Sequence, residues 1–186
     1  MSLKLFRSTG YSSILAPGET RIATHPGWMI LAVSLWVGFV CNVALWRELR
    51  SLAGPGLGRA LWTGLFIAAA CGALLSLLGW RRTLKHSATL LLALAALVAA
   101  SIWVQQLPIG AGLLDQGLRA VMVPSWSSLL RWQFPALLAG LGLLPMIWVW
   151  QLQLRRLPGP RQLSANVTSM LCYLTILAGA GWLVWR

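Results

Sequence analysis

LWTGLFIAAACGALLSLLGW, residues 61–80, runs for twenty residues without a charge and is followed at once by Arg81 and Arg82. After Lys85 and His86 a second uncharged run begins, SATLLLALAALVAASIWV, residues 87–104. An α-helix needs about 20 apolar residues to cross the hydrocarbon core of a bilayer. Two such runs with a basic cluster between them read as two membrane spans joined by a short loop. The same pattern extends outward: Trp28–Trp46 carries no charge, a fourth apolar run lies between Arg131 and Arg155, and a fifth covers Asn166–Trp185. The expected fold is an all-α membrane protein of five transmembrane helices occupying 28–186, preceded by a cytosolic tail over 1–27. That tail is rich in Ser, Thr, Gly and Pro. The run after it is too long for a cleaved signal peptide and has no small-residue cleavage site, so it reads as an anchor.

Composition supports the same class. Of 186 residues, 58% are hydrophobic and 10% are charged, against about a quarter charged in a soluble domain. Glu19, Glu48 and Asp115 are the only acidic residues, which excludes most carboxylate chemistry. The net charge of +12 does not point to nucleic acid, because Lys and Arg fall in short clusters between apolar runs. Such clusters act as topology signals and meet anionic lipid headgroups. Lys4, Arg7, Arg21, Arg81, Arg82, Lys85, Arg155, Arg156 and Arg161 lie on one side of a five-span map. Arg47, Arg50, Arg59, Arg119, Arg131 and Arg186 lie on the other. The richer side is expected in the cytoplasm. This gives a multi-pass protein of the bacterial inner membrane, amino terminus cytoplasmic and carboxyl terminus periplasmic.

Tryptophan follows the span ends: Trp28, Trp46, Trp62, Trp80, Trp103, Trp132, Trp148, Trp150, Trp182 and Trp185. An indole suits the bilayer interface because its ring is apolar while its N–H needs a partner. Trp36 lies in mid-span and is expected between helices. Gly64, Ala68, Gly72 and Ser76 recur every four residues and form a smooth stripe on the second span. Such a stripe serves helix packing or contact with a partner, since small residues let backbones approach in lipid. Ala96 with Ala100 and Ala136 with Gly140 repeat the pattern, and Pro145 is expected to kink the fourth span. In the 105–131 connection, Leu113, Leu114, Leu118, Val121 and Met122 lie on one helical face. Asp115 and Arg119 lie on the other, so a short interfacial amphipathic helix with those two as candidate lipid contacts is expected between the third and fourth spans.

No catalytic, cofactor-binding or metal-ligating set is legible. His25 and His86 read as loop residues on the cytoplasmic side. Cys41, Cys71 and Cys172 lie in spans without CxxC spacing and read as small packing residues. Expected partners are membrane lipids and other integral membrane proteins, and no cofactor.

Gly112-Leu113-Leu114-Asp115, then Leu129-Leu130-Arg131-Trp132, then the run Leu138–Pro145 resemble the lipid A phosphoethanolamine transferases. Trp46-Arg47-Glu48-Leu49, preceded by Asn42, is similar to the end of that family's first span. The resemblance covers about 28–185. It implies a membrane domain of five spans with an interfacial helix and an LGLLP-like fourth span. Family enzymes add a periplasmic domain of alkaline-phosphatase type, with a threonine nucleophile and a zinc site of Asp, Glu and His. That domain is not expected within a chain running to Arg186. A Gln-Asn pair that helps bind the family's phosphoethanolamine donor falls on Ala120 and Val121 here. The sequence therefore points to a non-catalytic accessory subunit or scaffold in a larger membrane complex. The alternative is the anchoring, lipid-substrate-binding half of a phosphoethanolamine–lipid A transferase. A transporter fits less well, because the spans lack buried ionisable groups.

The charge bias predicts the outcome of cysteine labelling on a background free of Cys41, Cys71 and Cys172. A cysteine at position 186 should react with an impermeant reagent in intact cells, and one at position 82 only after the membrane is opened. The reverse pattern would invert the orientation.

Overall fold

The computed structural model describes residues 24–50, 56–107, 126–154 and 159–185. Within them the helices are α1 (Pro26–Val40), α2 (Val43–Arg50), α3 (Leu57–Leu77) and α4 (Arg81–Val104). After them come the short α5 (Trp126–Leu129), then α6 (Gln133–Gln151) and α7 (Gly159–Trp185). By length and composition α3, α6, Thr83–Val104 of α4 and Gly159–Val184 of α7 can each cross a membrane, which makes four spans, or five if the bent pair of α1 and α2 counts as one. The chain is thus an all-α membrane protein. The 105–131 amphipathic segment, with Asp115 and Arg119, lies outside the described residues apart from its two ends.

The first span is not one helix over Trp28–Trp46. Pro26 opens α1, where its missing N–H costs nothing, and His25 Nδ1 accepts from Gly27 N at 3.1 Å as the cap. Its last five residues, Trp36–Val40, form a π-turn. After Cys41 and Asn42, α2 leaves at 48°. The cause of the break is local. Asn42 Oδ1 accepts from Leu45 N at 3.3 Å, an N-cap bond that starts a new helix in place of continuing the old one. Other helices exceed their apolar runs. α4 begins at Arg81 and so carries His86 on a helix rather than in a loop, and α7 begins at Gly159, ahead of Asn166. Pro145 leaves Gln133–Gln151 continuous, with the disturbance taken up as a π-turn over Ala139–Leu143.

The bundle is a row of contacts: α7 lies on α3, α3 on α1, α1 on α4, and α4 on α6. α1 is its centre. Met29, Ile30 and Val33 of α1 meet Leu75 of α3, Leu84, Ala88 and Leu92 of α4, and Val149 of α6 in one buried cluster. Only 6% of the apolar window of α7 is buried, and its exposed Leu163, Val167, Leu171, Ile176 and Leu183 have lipid-like polarity.

Lipid supplies no hydrophobic drive between helices, so close backbone approach must supply dispersion contact instead. At Gly38 of α1 a Cβ would lie 2.5 Å from Gly64 O and 2.6 Å from Ala68 Cβ. At Gly72 it would lie 2.5 Å from the Tyr173 ring of α7. On α6 a Cβ at Gly142 would lie 3.1 Å from Ala96 Cβ, whereas nothing lies within 4 Å at Gly140. The near face of α6 therefore runs through Gly142, not through Ala136 and Gly140, since the π-turn alters the register of its faces.

Gly38→Ala puts a methyl group against main chain that cannot rotate away. It should cost about 1–3 kcal/mol, the range for overpacking a close-packed site, read as lost thermal stability in detergent. Gly140→Ala, with open space at its Cβ, should leave stability unchanged or slightly raised.

Candidate functional site

Where a helix ends or bends inside a membrane, its last carbonyls lose their donors and water is scarce. The polar side chains that link one helix to another sit at those places. In mid-bundle, Pro145 has no N–H for the Leu141 carbonyl four residues earlier. Trp36 Nε1 donates to that oxygen at 3.1 Å, from α1 to α6. At the bend of the first span, Trp46 Nε1 donates to Val40 O at 3.0 Å. The buried Asn42 reaches Ala60 O of α3 with Nδ2 at 3.5 Å.

One end of the bundle is closed by Arg47. Its Nη1 donates to Leu107 O at 2.7 Å, and its Nη2 to Ile102 O at 3.0 Å and Gln106 Oε1 at 3.5 Å. A planar fork with several donors suits a frayed helix end of this kind. Beside it the Arg50 guanidinium lies 4.6 Å from the centroid of the Trp103 ring.

Lys85 closes the opposite end, donating to Trp150 O at 3.2 Å in the last turn of α6 and to Leu152 O at 2.7 Å just beyond it. His86 meets the Trp150 ring edge to face at 5.5 Å. Thr24 N donates to Gln153 O at 2.9 Å, tying the start of α1 to the end of α6. Gln162 Nε2 donates to Gly79 O at 2.9 Å, bridging α7 to the α3–α4 turn.

The four small residues singled out on α3 do not share one neighbour. Gly64 and Ala68 lie against Gly38 of α1, and Gly72 lies against Tyr173 of α7. Ser76 is buried, and its hydroxyl meets no hydrogen-bond partner among the described residues. Ala120 and Val121, like Asp115 and Arg119, lie outside the described residues. No group of three or more His, Cys, Asp or Glu side chains able to hold a metal occurs among the described residues. Sequence reasoning placed Trp36 between helices without its acceptor, and it treated Arg47 and Lys85 as topology charges only. For Trp36 the available signal was Pro145, which announces an orphan carbonyl at Leu141.

The arrangement defines a class: a polytopic membrane domain whose polar groups close helix ends and whose cations stand at the two interfaces. Residues 67–185, from the middle of α3 to the end of α7, match the amino-terminal membrane domain of the family Phosphoethanolamine transferase EptA/EptB, and the chain belongs to that family. Neither the curated proteins nor the solved structures compared with the chain give a match.

Trp36→Phe keeps an aromatic ring, smaller than the indole, and leaves the Leu141 carbonyl without this donor. An unsatisfied buried acceptor costs about 1–3 kcal/mol, so thermal stability in detergent should fall accordingly. Adding Pro145→Ala, which restores a main-chain donor for Leu141, should recover part of that loss. Equal stability of Trp36→Phe and the parent would show that the bond contributes nothing.

Proposed function

We propose that the chain is the anchoring, lipid-contacting membrane part of a phosphoethanolamine transferase system. It holds a catalytic unit, supplied by another segment or another chain, at the periplasmic face of the bacterial inner membrane. The observation that carries this function is the match over 67–185, which falls on the membrane-domain spans of that family. The geometry supports it. At the bundle ends Arg47, Lys85 and Gln162 hold main-chain carbonyls, a fixing role that keeps spans in register. Metal-assisted phosphoryl transfer needs an activated oxygen and charge neutralisation, and the acidic residues of this chain number three.

A second function, accessory subunit or scaffold of a larger membrane complex, draws on Ala120 and Val121. Apolar side chains stand there where the family resemblance places a polar pair for the donor lipid.

Expression in a strain without its own phosphoethanolamine transferases separates these functions. Lipid A mass spectra should show no added phosphoethanolamine with this chain alone. Addition should appear when the periplasmic catalytic domain of a family enzyme is fused after Arg186. If the fusion stays inactive while native-membrane purification brings down other integral membrane proteins, the accessory role replaces the anchoring one. Phosphoethanolamine added by the chain alone would overturn both.

A further inference from the structure

A second kind of site lies where α2 meets the end of α4, apart from the contacts that pack the bundle. Arg47 and Arg50 are three residues apart on α2 and face the same helix end. Arg47 reaches Leu107, Ile102 and Gln106, and Arg50 lies over Trp103. All three acceptors of Arg47 are neutral oxygens, which bind a guanidinium without cancelling its charge. Arg50 is exposed, and a ring face likewise leaves its charge and its N–H fork available. Among the described residues Arg50 meets Trp103 and no hydrogen-bond acceptor. The nearby carboxylate, Glu48, lies against Gly56 at the start of α3, where a Cβ would come 2.7 Å from its Oε2.

The surroundings set the depth. Trp46 and Leu49 of α2 are exposed beside the two arginines, at 45% and 44%. An amphipathic segment with Trp and Leu outward and Arg at its edge rests at the headgroup level of a bilayer. Gln106 completes the frame. It is held at φ 52°, in the left-handed region, while its Nε2 donates to Trp103 O at 2.8 Å. That bond and the Arg47 contact fix the turn that carries Trp103, and Trp103 in turn orients Arg50.

We propose that Arg50, seated on Trp103 and reinforced by the charge of Arg47, binds a phosphate group, that of a net-anionic phospholipid resident at this interface. A guanidinium fork matches two phosphate oxygens at once, and two cations in a poorly hydrated setting favour a ligand of net negative charge over a zwitterion. The bound lipid would brace the bend between α1 and α2 from outside. The inference concerns this domain's own lipid and holds whether or not a catalytic unit joins it.

The test uses the full chain, purified in neutral detergent, with thermal unfolding and native mass spectrometry as readouts. Phosphatidylglycerol should raise the unfolding temperature and remain bound as a single adduct, while phosphatidylcholine should do neither. Arg50→Ala, an exposed side chain, should unfold at the parent temperature without lipid. It should bind phosphatidylglycerol about tenfold more weakly, and Arg50→Lys should lie between, keeping the charge and losing the fork. Inorganic phosphate is the second arm: stabilisation by phosphate alone, lost in Arg50→Ala, would assign the site to a soluble phosphate in place of a lipid. Equal responses of the parent and Arg50→Ala to phosphatidylglycerol, or equal responses of the parent to the two lipids, would overturn the proposal.

Discussion

Inside a bilayer a main-chain carbonyl without a donor has no water to turn to, and the cost of leaving it so is several kcal/mol. Unbroken helices meet this demand internally, but among the described residues two spans have a gap in their hydrogen-bond ladder. Cys41 and Asn42 interrupt the first span, and Pro145 removes a donor from the fourth. Each breach is repaired by an indole: Trp46 answers Val40 and Trp36 answers Leu141. The same demand recurs at helix ends, where Arg47, Lys85 and Gln162 supply donors from a neighbouring span. The bonds that satisfy the backbone are therefore also the bonds that hold one helix to the next.

Packing follows from where those bonds pin the helices. With Trp36 fixed to α6 and Asn42 to α3, α1 lies between them, and its Gly38 comes within a methyl group's width of Gly64 and Ala68. Small residues make that approach sterically possible, and the polar bonds decide which small residues meet. This is why Gly142, and not Gly140, lies on Ala96. A stripe drawn on a uniform helix ignores the π-turn that the proline and its indole partner maintain.

Four of the five expected spans were legible as long apolar helices, because apolar run length is a one-dimensional property set by bilayer thickness, whereas the first is a bent pair. Family membership was legible too, through the Leu138–Pro145 run, which lies within the matched residues 67–185. Helix bounds were less so. Basic residues such as Arg81 and Arg161 end an apolar run without ending the helix, since helix hydrogen bonding is indifferent to side-chain polarity at the interface. The break at Asn42 was not read, because asparagine acts there through a side-chain bond to Leu45 that competes with the ladder. The double duty of Arg47 and Lys85 was hidden for a similar reason. Charge counting gives a side of the membrane but no partner, and their acceptors lie 55 to 67 residues away in the chain.

The bond between Trp36 and Leu141 joins residues 105 positions apart. As the chain is synthesised, the first span is complete long before its acceptor exists. The two intervening spans must enter the membrane before the fourth can present that carbonyl. Until the fourth span is made, the indole of Trp36 cannot form this bond. The contact between the first and fourth spans is therefore made only after the first three spans have been synthesised.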